Sequence, residues 1–294
     1  MKFGVIIPEG VDHEFDGWDP RSAWDRAVEI ARHAERLGYE SAWMYDHFHT
    51  DPVPVDEITF EAFTGVAGIG LSTERIRLGH LVLAAGYRNA ALVAKMAGTL
   101  DVITGGRFEL GFGAGWKEDE YLAYGYDFPP LKERMAVLAD TLAIAAAMLS
   151  GRRATHTGEH RTVADAVNVP VGLQKPRVPI LVGGNGPKVT FRLAARYADE
   201  LNLDGLTPEQ VAAALPTVRE RCEEVGRDPT TLRISVHLWG PVVEDDGDVR
   251  TERLAAYRDL GVSRVIAQLH ASVADLEVLD RFREDALAAG AELA

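Results

Sequence analysis

A carboxylate and an imidazole stand side by side in Tyr45-Asp46-His47-Phe48-His49, directly after a short apolar run. Such a pair can supply a general acid or a general base. A surface loop whose polar residues simply meet water would have the same composition, so both interpretations stay open. His47, His49 and Asp51 have a spacing that could suit a metal, but no further ligand pattern such as His-Glu-x-x-His accompanies them. If this segment is functional, we expect acid–base chemistry and no metal ion.

A glycine-rich turn, Gly111-Phe112-Gly113-Ala114-Gly115-Trp116, follows another apolar run. Glycines allow a ligand to approach the backbone closely. The turn lacks the Gly-Lys-Ser/Thr ending of a P-loop, and the next residues, Lys117-Glu118-Asp119-Glu120, place three acids where a pyrophosphate would lie. The turn therefore indicates a ligand contact without identifying the ligand.

A second glycine-rich turn, Gly183-Gly184-Asn185-Gly186-Pro187-Lys188, leads directly into a predicted helix. Pro187 suits a first helical turn, and the free amides at a helix start carry positive dipole character. With Lys188 adding a cation, the turn could bind an anion or a phosphate. A tight strand-to-helix connection with no ligand is the alternative.

Alternating strands and helices must position these segments. Eight short apolar runs predict strands at residues 3–8, 41–44, 76–82, 107–112, 179–182, 200–203, 232–238 and 264–268. Several are almost continuously hydrophobic, which is typical of parallel strands buried on both faces. Longer stretches with helical periodicity lie at residues 24–37, 90–103, 131–149, 189–198, 208–225, 249–260 and 273–288.

This alternation predicts an α/β protein with one (β/α)8 TIM-barrel domain over residues 1–294. An open doubly wound sheet is the structural alternative. Residues 150–178 fit neither pattern, and we interpret them as an excursion after the fourth helix that lies over the C-terminal face. Active sites of such barrels form at that face, just after the strands.

Composition excludes several classes of partner. The formal net charge of −14 argues against a nucleic-acid partner. No apolar run approaches the ~18 residues that would span a bilayer, so we expect no membrane partner and a cytoplasmic location. The single cysteine, Cys222, excludes an internal disulfide framework and a cysteine-based metal site.

Several segments together are shared with a known family: residues 38–48, 75–79, 87–95, 99–107, 111–116, 124–126 and 179–184. In combination they resemble the luciferase-like monooxygenase superfamily and, within it, the F420-dependent oxidoreductases. The final third of the chain agrees with that family in pattern but has no sharp motif.

The resemblance implies a cofactor over the C-terminal mouth, with its phosphate at the turn 183–188 and a non-prolyl cis peptide among His80, Leu81 and Val82. It implies catalytic roles for His47 and Glu120, whereas Trp116 stands where the sugar-phosphate dehydrogenase branch has a catalytic glutamate. The implied cofactor-binding residues are Asp46, His80, Leu81, Gly113, Gly115, Trp116, Gly184, Asn185, Gly186, Pro187 and Lys188.

The function implied by the resemblance is hydride transfer between coenzyme F420 and a small organic substrate. The alternatives are an FMN-dependent two-component monooxygenase and a non-catalytic relative that only binds a flavin. The resemblance also implies a homodimer, for which the alanine-rich stretches 90–98 and 138–149 could supply the surface. These stretches could equally pack on the barrel itself.

Overall fold

The computed structural model describes residues 1–240 and 243–294 and the backbone course of residues 241–242. The strands are β1 Lys2–Ile6, β2 Ser41–Met44, β3 Arg77–His80, β4 Leu83–Ala84, β5 Phe108–Gly113, β6 Ala154–Thr157, β7 Thr162–Ala166, β8 Ile180–Gly183, β9 Glu200–Asp204, β10 Arg233–Leu238 and β11 Arg264–Ala267. The helices are α1 Pro20–Leu37, α2 Ala62–Ser72, α3 Ala90–Ile103, α4 Glu118–Ala123, α5 Leu131–Leu149, α6 Thr190–Tyr197, α7 Pro208–Glu224, α8 Pro241–Glu244, α9 Gly247–Asp259 and α10 Glu277–Ala288.

Nine of the strands form one parallel sheet in the order β3-β2-β1-β11-β10-β9-β8-β5-β4, and pairing of β3 with β5 closes it. β3 and β4 are two parts of one barrel strand, because only Leu81 and Val82 separate them. The sheet is therefore a closed barrel of eight strands, which confirms the predicted (β/α)8 fold. All eight predicted strand segments coincide with barrel strands.

Alternate residues of each strand face opposite sides of the barrel wall. One set points inward and forms a small cluster that includes Ile6, Trp43 and Leu181. The other set, including Val5 and Phe112, packs outward against the helices in the main hydrophobic core.

A buried ionic cluster fills the amino end of the barrel. The guanidinium of Arg264 contacts carboxylates of Glu200 at 2.7 Å, Glu109 at 2.8 Å and Glu40 at 2.7 Å. Burial alone would raise the pKa of Glu109, but Arg264 and Arg77 outweigh it and hold that pKa far below its usual value. The charged cluster fills the interior of the barrel at this end.

The excursion at residues 150–178 lies at this amino end, so the prediction that it covers the C-terminal face is wrong. The β6–β7 hairpin begins the excursion, and a later part of it donates the backbone N–H groups of Leu173 and Gln174 to Asp101. The Gln174 amide also donates to the carbonyl of Phe108, the first residue of β5. A segment that follows a helix and precedes a strand must return to the strand's amino end, which explains this position.

Helix α2 was not among the predicted helices because its sequence lacks an amphipathic stripe. Its glycines allow close packing: a Cβ on Gly65 would lie 2.7 Å from the sulfur of Met44, and one on Gly68 2.8 Å from the ring of Trp24. The helix therefore depends on its neighbours rather than on its own pattern.

Helices α3 and α5 pack against each other, which covers most of the alanine-rich surface considered for a dimer. Ala94 and Ala97 of α3 and Ala145 of α5 are completely buried within the chain. The homodimer stays a prediction. Among the described residues, no helix combines the length and apolarity needed to cross a bilayer.

Candidate active site

A cavity of about 610 Å³ opens at the carboxyl ends of the barrel strands. Its volume lies within the range of small-molecule sites. The predicted site residues that line it are Asp46, His47, Leu81, Gly113, Gly115, Trp116, Glu120, Gly184 and Gly186. The expectation that the site forms at this face of the barrel is therefore met.

His47 and Glu120 form a hydrogen-bonded pair in the cavity wall. The His47 Nδ1 lies 3.1 Å from Oε2 of Glu120, whose side chain is completely buried. The backbone N–H of Phe48 and the hydroxyl of Tyr87 also donate to this carboxylate, at 2.7 and 2.5 Å. Burial would raise the pKa of Glu120, but the hydrogen bonds from His47, Tyr87 and Phe48 lower it below its usual value.

This arrangement determines which imidazole nitrogen is available for chemistry. An ionised carboxylate only accepts hydrogen bonds, so Nδ1 of His47 carries a proton. Nε2 has no hydrogen-bond partner among the described residues, and the side chain is 18% exposed. The pair can therefore present one nitrogen of fixed orientation to a ligand in the cavity.

Asp46 is buried in the same wall with one oxygen satisfied and the other free. Its Oδ2 accepts from the backbone N–H of Ala84 at 2.9 Å and from Arg88 at 2.7 Å. Its Oδ1 is buried without a partner among the described residues. Burial raises the pKa of Asp46 to about 6, although Arg88 opposes the shift. An unsatisfied buried carboxylate oxygen is costly unless a ligand completes its hydrogen bonding.

The peptide bond between Leu81 and Val82 is cis, as predicted, and both residues line the cavity. Two neighbouring strands approach Val82 closely through glycines. A Cβ on Gly113 would lie 2.7 Å from one methyl carbon of Val82, and a Cβ on Gly183 would lie 3.0 Å from the other methyl carbon. These glycines let the cavity floor form.

Only some of the predicted cofactor-binding residues in the turn after β8 line the cavity. Gly184, Gly186 and Thr190 line the cavity, and Gly184 has a positive φ of 124°. Asn185 instead bonds both the N–H and the carbonyl of Asp204, which ties the turn to β9.

Pro187 and Lys188 are exposed and do not line the cavity. The carbonyl of Pro187 accepts a hydrogen bond from Arg221 at 3.2 Å. Because α6 begins only at Thr190, Pro187 lies in a turn before the helix rather than in its first turn. Backbone groups and the Thr190 hydroxyl are thus the donors that the turn offers.

The turn after β5 supplies an aromatic wall. Trp116 is 64% exposed, and its ring lies edge-on to His47 with 5.6 Å between ring centres. Gly115 has a φ of 78°, and a side chain there would overlap the hydroxyl of Tyr121. Lys117 is buried and pairs with Asp51 at 2.6 Å.

The prediction that places His80 among the residues that line the pocket is wrong. His80 is completely buried but lies outside the cavity, with its ring 4.5 Å from Phe63 of α2 and 5.4 Å from Phe108. Burial lowers the pKa of His80 to about 3. Strand alternation accounts for the error, because His80 shares the outward direction of Leu78.

Four side chains at the mouth form a hydrogen-bonded group that the sequence reasoning missed. The hydroxyl of Tyr45 lies 2.9 Å from Nε2 of His237, and Nδ1 of His237 lies 2.9 Å from Oδ1 of Asp204. The indole N–H of Trp239 donates to the same Asp204 oxygen. The strand pattern could have indicated them, because they lie at inward-facing positions at or next to the ends of β2, β9 and β10.

Comparison with known proteins identifies relatives of the chain. A family model described as luciferase-like monooxygenase matches residues 1–294. An F420-dependent glucose-6-phosphate dehydrogenase of Nocardia farcinica is 32% identical over 239 residues, covering 73% of this chain and 69% of the dehydrogenase. A 5,10-methylenetetrahydromethanopterin reductase of Methanolobus tindarius is 25% identical over 220 residues, covering 75% of this chain but only 62% of the reductase.

Among solved structures, an F420-dependent secondary alcohol dehydrogenase in complex with an F420–acetone adduct superposes with a TM-score of 0.81. The superposition covers 98% of each chain at 19% sequence identity. At that identity the likeness shows a shared fold.

Proposed function

The chain belongs to the luciferase-like monooxygenase family, and within it we propose an F420-dependent oxidoreductase that transfers a hydride between the deazaflavin and a small organic substrate. The names of several curated relatives include F420, which supports this cofactor. The observation that carries the proposal is the buried, unpartnered Oδ1 of Asp46 beside the His47–Glu120 pair.

The residues of the cavity suit a deazaflavin. Asp46 offers an acceptor to an N–H or O–H of a ring, and the cis peptide segment at Leu81 and Val82 offers an apolar wall. The amide of Gly186 and the hydroxyl of Thr190 offer donors to a phosphate, whereas the N–H of Gly184 already donates to the carbonyl of Asn202. When bound, F420 would supply the two-electron hydride chemistry, and the protein would supply orientation and proton transfer.

His47 is the group we assign to proton transfer at the reacting centre. Glu120 holds its Nδ1–H, so Nε2 can accept a proton from a substrate or return one. Glu120 is already engaged by three donors and therefore acts as a positioning residue rather than as a free acid.

The charges of the cavity argue against a phosphorylated substrate. Among the lining residues that the structure describes, Lys117 is the single lysine or arginine, and it pairs with Asp51 and Asp119. Asp12 and Asp204 also line the cavity. We therefore propose a substrate without a phosphate group, unlike the sugar phosphate named for several relatives.

Titration of F420 fluorescence with protein tests the role of Asp46. We expect Asp46→Asn to weaken binding at least tenfold, equal to ~1.4 kcal/mol, because an amide cannot reproduce the carboxylate's acceptor strength. Asp25→Asn removes an exposed carboxylate from α1 and should bind F420 like the wild type. Thermal melts of both variants report folding. Unchanged affinity in a folded Asp46→Asn variant would remove Asp46 from the binding site.

A further inference from the structure

We propose that Tyr45 is a second proton-transfer group of this site, held by His237 and Asp204, and that the substrate it serves is an alcohol or a carbonyl compound. The inference rests on the proposed hydride-transfer function and adds to it the substrate class and a second proton path.

The three residues form a continuous chain of hydrogen bonds in the cavity wall. Tyr45 Oη lies 2.9 Å from His237 Nε2, and His237 Nδ1 lies 2.9 Å from Asp204 Oδ1. All three line the cavity, so the chain begins at a surface that a ligand can reach. Each residue lies at or next to the carboxyl end of a different barrel strand, and the strands fix their relative positions.

Hydrogen-bond chemistry sets the direction of the chain. Asp204 accepts from His237 and from Trp239, and although burial would raise the pKa of Asp204, the bond from His237 brings it below its usual value. An ionised Asp204 only accepts, so Nδ1 of His237 carries a proton. In neutral His237 the other nitrogen, Nε2, is then an acceptor, and the Tyr45 hydroxyl donates to it.

A donating Tyr45 hydroxyl leaves its oxygen lone pairs available to a ligand. Burial, with the nearby acids Asp12 and Glu9, raises the pKa of Tyr45 well above its usual value. Tyr45 is therefore a neutral phenol at rest and cannot serve alone as a base. It can accept a proton only while it passes its own proton to His237, which is the role the chain provides.

The position of Tyr45 relative to His47 gives the site two distinct proton paths. Their ring centres are 6.3 Å apart. Asp46, which separates them in the sequence, accepts hydrogen bonds from Ala84 and Arg88 instead. Both rings line one cavity, so a small substrate can contact both. The His47 path ends at Glu120 and the Tyr45 path at Asp204, and no described residue joins the two carboxylates.

For an alcohol substrate the step balances as follows. The carbinol C–H bond breaks and its hydride, with two electrons, goes to the oxidised deazaflavin named in the proposed function. The alcohol releases one proton as its O–H bond breaks, and that proton moves to Tyr45 while the Tyr45 proton moves to Nε2 of His237; His47 is left for the proton that the deazaflavin itself would exchange on reduction. A C=O double bond forms, and Asp204 stabilises the resulting imidazolium. Reduction of a carbonyl runs through the same transfers in reverse.

Two variants and their combination test the relay. We expect Tyr45→Phe and His237→Gln each to lower kcat with secondary alcohols or their ketones by ~100-fold, with little change in KM. The double variant should be no slower than the slower single variant, because two groups acting as one unit are not additive. Tyr124→Phe removes a hydroxyl that bonds the Phe48 carbonyl at the same mouth and should retain wild-type kcat.

Nitrogen-15 NMR of histidine in the cofactor-free protein gives a readout independent of turnover. We expect His237 to be protonated at Nδ1 in the wild type, and Asp204→Asn to shift the proton population toward Nε2. Multiplicative losses in the double variant, or an Nε2-protonated neutral His237 in the wild type, would overturn the relay. If the wild type binds F420 but turns over no secondary alcohol or ketone, the substrate class is wrong while the proposed cofactor stands.

Discussion

At the scale of single residues, the His47–Glu120 pair shows how burial and charge prepare an imidazole for proton transfer. Glu120 is completely buried, yet three donors hold its pKa below the usual value. Its charge fixes the Nδ1–H tautomer of His47 and aims the ring. In the proposed mechanism the pair separates two tasks, because Glu120 orients the imidazole and His47 exchanges the proton.

We expect His47→Asn to retain the fold and most of the F420 affinity while lowering turnover by ~100-fold, the usual scale for a lost acid–base group. Asparagine keeps a hydrogen-bonding side chain near Glu120 but cannot take up a proton at neutral pH. Steady-state kinetics beside an F420 titration measure the two effects separately. Near-normal turnover in a folded variant would transfer the proton role to another group, with Tyr45 the first candidate.

Sequence position alone singled out Asp46 and His47, because they directly follow a barrel strand at the face where the cavity opens, whereas Glu120 was implied only by the resemblance to the family. The alternation of side chains along β3 would have excluded His80 from the cavity wall, because His80 points to the same outer side of the barrel as Leu78. The Tyr45–His237–Asp204 chain joins residues up to 192 positions apart. Such contacts depend on barrel closure and register, which local patterns do not specify.

At the scale of structural elements, the β6–β7 hairpin packs against helix α5 on the outside of the barrel. Asp140 of α5 accepts from His156 at 2.9 Å and from the backbone N–H groups of His160 and Arg161. The hairpin is thereby held to α5, whose Met135 and Leu138 line the cavity, but no residue of the hairpin itself does. We assign the hairpin a structural role.

We expect His156→Ala to lower the free energy of unfolding by about 1–3 kcal/mol, the range for a hydrogen bond to a charged group. F420 affinity and KM should not change, because no residue of the excursion lines the cavity. Urea denaturation and F420 titration provide the two measurements. His160→Ala is the matched control, since the Asp140 contact of His160 uses its backbone. A change in KM without a change in stability would place the hairpin at the active site.

The alternation of elements was predictable because parallel strands buried on both faces give continuous apolar runs. Helix α2 was not, since its glycines and apolar residues lack a polar face. The excursion was located correctly in the chain but at the wrong end of the barrel. The excursion follows a helix and precedes a strand, and this order already determines the end of the barrel to which it leads. The error could therefore have been avoided.

At the scale of the whole molecule, the two ends of the barrel differ in how their buried charged groups are paired. The amino end is sealed by Arg264 with Glu109 and Glu200, all buried and mutually paired. At the carboxyl end Asp46 lines the cavity, and its Oδ1 is buried without a partner among the described residues. The charged groups that pair at the amino end are therefore distinct from those of the proposed cofactor site.

We expect Arg264→Met to lower the free energy of unfolding by ~3–5 kcal/mol, because removing one partner leaves buried charges unpaired. Arg21→Met, which breaks an exposed pair with Asp25, should change it by less than ~1 kcal/mol. Urea denaturation near neutral pH measures both. A loss below 1 kcal/mol for Arg264→Met would show that the cluster contributes little.

The same cluster predicts a pH dependence of stability. The pKa of Glu109 is depressed in the folded protein, so its contribution is present above the unfolded value of ~4.3 and is lost as pH falls below it. Unfolding free energies measured between pH 6 and 3, a window of roughly three units around that value, should fall more steeply for the wild type than for Glu109→Gln. Parallel curves would contradict the assignment.

The central claim is that this barrel binds F420 as its redox cofactor, and a binding titration of the wild-type protein with F420 and with FMN tests it most directly. We expect micromolar protein to quench F420 fluorescence in a saturable manner, and we expect that excess FMN does not displace the deazaflavin. Saturable binding of FMN with no response from F420 would contradict the claim.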